Sequence, residues 1–169
     1  MALCALLYLA WWYVYFRPGL NPGRLLKVAG VVCILGAAAT GIGAVCVIVT
    51  AVALLPTVVP GAAIIAGAAV LYAAALFVTA KLLARPVTTE LLLIVAWLAL
   101  EVSVANAFAA TGAFSGLAIG GLLVATGAAA AASLACYNAY YHLKDWPSFI
   151  DGCGPLIAVG ILSLAYALL

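Results

Sequence analysis

Residues 28–55 read VAGVVCILGAAATGIGAVCVIVTAVALL, a run without one charged side chain. A hydrocarbon core about 30 Å thick is crossed by roughly 20 apolar residues in a helix. This stretch is therefore long enough to span a bilayer with some tilt. Inside lipid every backbone N–H and C=O must find a partner within the protein, which leaves helices or a closed barrel. Barrel strands alternate apolar and polar residues in units of about ten, separated by turns. Here the apolar residues are continuous, and the run reads as a transmembrane helix.

The rest of the chain has the same character. Of 169 residues, 70% are hydrophobic and 6% charged, whereas a soluble domain carries roughly 25% charged residues. So few charges cannot cover a water-facing surface, and the bilayer is the solvent that suits this composition. The net charge of +2 is not gathered into the basic stripe that nucleic acid requires. Cys4, Cys33, Cys46, Cys136 and Cys153 show no CxxC spacing and read as small hydrophobes.

Working outward from residues 28–55, five further apolar runs appear, at 2–16, 61–84, 91–109, 116–140 and 155–169. Pro56 and Pro60 separate the second run from the third. Thr88-Thr89-Glu90 provides a cap and a first-turn acid for the fourth. The expected architecture is all-α: a polytopic transmembrane helical bundle, one membrane domain of about six spans. The first and last runs are short, and the count falls to five if one of them fails to cross.

Sidedness follows from the basic residues. If all six runs cross, successive loops alternate sides, and Arg17, Arg24, Lys27, Lys81, Arg85 and Lys144 all fall in the odd loops. Even loops 56–60 and 110–115 carry no charge. The bias of Lys and Arg toward the inside puts loops 17–27, 81–90 and 141–153 on the cytoplasmic or matrix side, with both termini opposite. The first run lacks a basic n-region and an A-x-A-like site, so it reads as an anchor rather than a signal peptide. Trp11, Trp12, Tyr13, Tyr15 and Phe16 at its end, and Tyr137, Tyr140, Tyr141 and Trp146 after the fifth run, fit interfacial belts.

Small residues dominate the helix faces. Gly112, Gly116 and Gly120 recur every fourth residue, a spacing that lets another backbone approach closely. They predict tight packing within the chain or a subunit interface. Gly61 and Gly67, and Gly30, Gly36, Gly41 and Gly43, build further smooth faces on the third and second runs.

One ionisable residue stands out at membrane depth. Glu101 lies midway along the fourth run, one turn after Trp97 and close to Ser103 and Asn106. Such groups are functional candidates by default. Desolvation penalises the charged form, so the carboxyl group is protonated, hydrogen-bonded to Ser or Asn, or reached by water. Two readings are open: interhelical glue, or a permeation path lined by Glu101, Ser103 and Asn106. His142, Lys144, Asp145 and Asp151 match no metal-ligand spacing and read as solvated loop residues. A single histidine does not supply the paired axial ligands of a b-type haem. No nucleotide loop, nucleophile elbow or Cys/His set is present. The reading therefore includes no cofactor, no metal and no enzyme.

Three stretches carry a resemblance: LYAAALFVTAKLLARPVTTELLLIVAWLALEVSVANAFAATGAF from Leu71, GGLLVATGAAAAASLACYNAYYHL from Gly120, and GCGPL from Gly152. A helix ending in a basic turn (Lys81 to Arg85) precedes an apolar helix. A glycine-rich helix then closes on Tyr137-Asn138-Ala139, and Gly154-Pro155-Leu156 follows. Together they resemble the last three helices of the acetate/succinate uptake transporters. That family's opening Asn-Pro motif has its nearest counterpart at Asn21-Pro22-Gly23-Arg24-Leu25, after an apolar run, and no pore residue is carried over. The resemblance implies a channel or transporter for a small solute such as a monocarboxylate. The alternative is a non-catalytic hydrophobic subunit of a respiratory or photosynthetic membrane complex. Expected partners are the lipid bilayer and either further copies of the chain or other membrane subunits, with no nucleic acid.

Overall fold

A computed structural model describes residues 1–83, 88–142 and 144–168. Arg85 and Pro86 lie outside the described residues, as do the side chains of Thr88, Thr89, Glu90, Asn138, Tyr141 and His142. Among the described residues six helices follow one another: α1 (Ala2–Phe16), α2 (Arg24–Ala53), α3 (Gly61–Leu83), α4 (Thr88–Thr111), α5 (Gly116–His142) and α6 (Asp145–Leu168). Helices α2 to α6 are long and apolar enough to cross a membrane. With 15 residues, α1 is roughly 22 Å long at 1.5 Å per residue and stops short of that length. The chain is an all-α membrane protein.

Local chemistry explains the helix ends. Arg17 is extended (φ −65°, ψ 122°), as a residue before proline tends to be. Pro18-Gly19 then turns the chain, with Gly19 at φ +76° and Leu20 N–H donating to the Arg17 carbonyl at 3.3 Å. Gly112, at φ +67°, follows the last residue of α4, the usual place of a helix-ending glycine. Ser115 caps α5, its Oγ accepting from Ala118 N–H at 3.3 Å.

The largest departure from expectation is α6. The stretch 141–153 is not a loop: α5 continues through His142, and α6 begins at Asp145, ten residues before the expected start. Pro147 sits in the first turn, where its missing N–H costs nothing. Trp146, Phe149, Ile150 and Cys153 recur at helical spacing, an apolar stripe masked by the polar and glycine residues between them. Asp151 is thus a half-buried helical residue, while Asp145 and Lys144 are exposed.

The chain gathers into two compact units, 1–46 with 135–169, and 47–134. In the first, α1 runs antiparallel to α2 and to α6, and glycines set the distance. A Cβ at Gly36 would lie 3.2 Å from Leu7, one at Gly41 3.1 Å from Cys4, and one at Gly160 3.4 Å from Ala5. α6 also folds back on α5, where a Cβ at Gly154 would lie 2.8 Å from Cys136 Sγ. In the second unit α3 and α4 form an antiparallel pair. Burial there is uneven: in its most apolar stretch α4 has 39% of its residues buried and α3 none.

Candidate functional site

The middle of α4 buries a carboxyl group. Glu101 is 3% exposed and Trp97 4%. Four residues apart on one helix, the two share a face, and the Trp97 indole N–H donates to Glu101 Oε1 at 3.0 Å. Leu91, Ile94, Val95 and Ala105 are buried on the same helix. At 1.5 Å per residue, Glu101 lies roughly 20 Å from the start of α4 and 15 Å from its end. A charge at the centre of a membrane-spanning helix costs a few kcal/mol, and the indole donor offsets part of that.

The other two candidates are held elsewhere. Ser103 Oγ donates to the carbonyl of Ala99 at 2.7 Å, within its own helix. Asn106 reaches out of α4 to the segment before α3. Its Oδ1 accepts from Val58 N–H at 3.1 Å and Val59 N–H at 2.9 Å, while its Nδ2 donates to the Val59 carbonyl at 2.8 Å. The amide supplies both an acceptor and a donor, and it clamps a loop whose two prolines break regular pairing.

A groove of about 300 Å³ runs between α3 and α4, lined among others by Val59, Ala63, Gly67, Leu71, Leu98 and Val102. It is lined by apolar side chains and backbone, and Glu101 is not part of its wall. The expected stripe of Gly112, Gly116 and Gly120 is divided. Gly112 terminates α4 in a left-handed conformation, so only Gly116 and Gly120 lie on α5. A spacing of four cannot distinguish a helix face from a glycine that ends one helix before the next begins. A Cβ at any of the three meets nothing within 4 Å. Open space also surrounds Gly61 and Gly67 on α3, whereas Gly30, Gly36 and Gly41 on α2 meet α1.

Two features were not anticipated from residue types. Trp12 turns inward: its Nε1–H donates to the Phe149 carbonyl at 3.2 Å, and its ring stacks on Phe16 with centroids 4.2 Å apart. The signal was the glycine at 152, which leaves room for the ring. Ser133 on α5 is 2% exposed, and its Oγ has no hydrogen-bond partner among the described residues; residue type alone did not mark it. Among the described residues no three His, Cys, Asp or Glu side chains gather as metal ligands would. No family model matches the chain, and no curated protein or solved structure matches it.

Proposed function

We propose that the chain is a small-solute transporter or channel, with a monocarboxylate as the solute class and Glu101 as the group that carries protons. The observation that carries this reading is the burial of a carboxyl group midway along α4, held by the Trp97 indole. Natural membrane helices keep such a costly group where it serves a pathway or a proton relay. The resemblance of residues 71–156 to acetate/succinate uptake transporters supplies the solute class. In this reading Glu101 accepts a proton on one side and releases it on the other, and the proton's movement is coupled to that of the anion. Catalysis has no part in it. The open glycine positions on α3 and α5 support assembly with further copies of the chain. The segments 17–27, 81–90 and 141–153, the last of them largely helical, face the cytoplasm or matrix in this reading, on the strength of their basic residues.

Glu101→Gln tests the reading, because it keeps an acceptor for the Trp97 N–H while removing the titration. In vesicles containing the purified protein, the variant should lose acetate uptake driven by a pH gradient while remaining folded. Uptake with an unaltered pH profile would make Glu101 structural glue. The open faces of α3 and α5 equally favour a second reading, a hydrophobic subunit of a larger membrane assembly. Purification in mild detergent separates the two: a homo-oligomer favours transport, and obligate co-purification with other chains favours the subunit.

A further inference from the structure

We propose that the end of the first unit, where α1 closes against α6 and α2 begins, holds the headgroup of an anionic phospholipid. Arg17 is fixed there between two rings, its guanidinium 4.9 Å from the centroid of Tyr13 and 5.5 Å from that of Trp146. It also donates to the Tyr13 hydroxyl. The Tyr15 hydroxyl donates to the Lys27 carbonyl at 2.9 Å and so ties the first turn of α2 to the last turn of α1. Arg24 and Lys27 are thereby brought to the end that carries Arg17, and Lys144 stands two residues before Trp146. Four of the six basic residues thus collect at one end. The aspartates of this region are Asp145 and Asp151, which leaves an excess of positive charge.

The rings below this rim are wide open for their type: Tyr13 is 45% exposed, Phe16 44% and Trp146 47%. Aromatic side chains with a polar edge settle at headgroup depth, ring toward the acyl chains. Arg24, Lys27 and Lys144 are exposed at the same end. An apolar ledge under a cationic rim complements an anionic phospholipid. A zwitterionic lipid would add its own cation to a positive field, and inorganic phosphate would leave the ledge uncovered.

The test uses the full-length protein in neutral detergent, with bound lipid counted by native mass spectrometry. Phosphatidylglycerol should bind in preference to phosphatidylcholine, and inorganic phosphate should not displace it. Each Lys or Arg near a membrane surface strengthens attachment about fivefold. Arg24→Gln, Lys27→Gln and Lys144→Gln should therefore each weaken phosphatidylglycerol binding by about that factor and leave phosphatidylcholine unchanged. Lys27→Arg should restore it. Lys81→Gln, in the other unit, should have no effect. Equal binding of the two lipids, displacement by inorganic phosphate, or an equal loss in Lys81→Gln would overturn the proposal.

Discussion

Gly152→Ala is the most direct test of how α1 is held. A Cβ at Gly152 would lie 2.8 Å from Trp12 Cε2 and 3.1 Å from Cη2, and closer still to Cζ2. The indole cannot swing aside freely. It donates to the Phe149 carbonyl, stacks on Phe16 with an interplanar angle of 17°, and leans on Tyr140 at 5.8 Å between centroids. Forcing a methyl group into such packing typically costs 1–3 kcal/mol, and losing the indole hydrogen bond adds about 1 kcal/mol. Alanine in place of glycine in a helix returns about 1 kcal/mol. The expected net loss is about 1–3 kcal/mol, measured by denaturant unfolding in detergent and followed by far-UV circular dichroism. Gly67→Ala is the control: nothing lies within 4 Å of its Cβ, so it should be neutral or slightly stabilising. Adding Trp12→Phe makes room, and the pair should couple by at least about 0.5 kcal/mol. If Gly152→Ala is as stable as the parent, or the coupling is nil, α6 does not close on Trp12 as described.

Asn106→Ala removes three hydrogen bonds to Val58 and Val59. Because that loop is exposed and water can replace them, the cost should be only about 1–2 kcal/mol, accompanied by faster proteolysis within 54–60. Single cysteines placed at positions 20 and 58 of a cysteine-free chain should label from opposite faces of the membrane; labelling from one face contradicts the proposed sidedness. Gly116→Leu should leave folding of the isolated chain unchanged, since open space surrounds Gly116, but should shrink the oligomer on size exclusion if this face meets another subunit. An unchanged oligomer would show that the face looks at lipid.

Much of the fold was legible because lipid imposes a one-dimensional rule. A charge-free run without the alternation of a barrel strand, such as 28–55, is held as a helix at membrane depth, and Pro56 just beyond it marks where it ends. The start of α6 was not legible for the same reason turned around. Asp145, Pro147, Asp151, Gly152 and Gly154 read as loop residues when counted one by one. What decides the conformation is contact with another helix. Gly152 admits the Trp12 ring and Gly154 admits Cys136, so residues with poor helix propensity are the ones that let α6 pack, and packing overrides propensity. The packing of Trp12 was not legible either. Residue types place Trp12 at an interface, but only the neighbouring helix reveals that its ring turns inward.

The candidate site divides along the same line. Glu101 stood out because the cost of a carboxyl group in an apolar run depends on position in the run alone. Its donor was not legible: serine or asparagine was expected, and the Trp97 indole one turn earlier supplies the hydrogen bond. Asn106 was not legible, since its partners stand 47 and 48 residues back in sequence and nothing near Asn106 announces them. Ser103 and Asn106 were grouped with Glu101 by closeness along the chain, yet one bonds its own backbone and the other a distant loop. Depth in the bilayer can thus be read from a sequence, whereas convergence of side chains cannot. A pathway of the kind proposed would therefore rest on Glu101 rather than on a triad. If one chain supplies a single carboxyl group at mid-membrane, the proposed path would draw further walls from apolar faces such as those of α3 and α5 meeting another subunit. That is why the oligomeric state of Gly116→Leu and the transport of Glu101→Gln belong in the same set of vesicles.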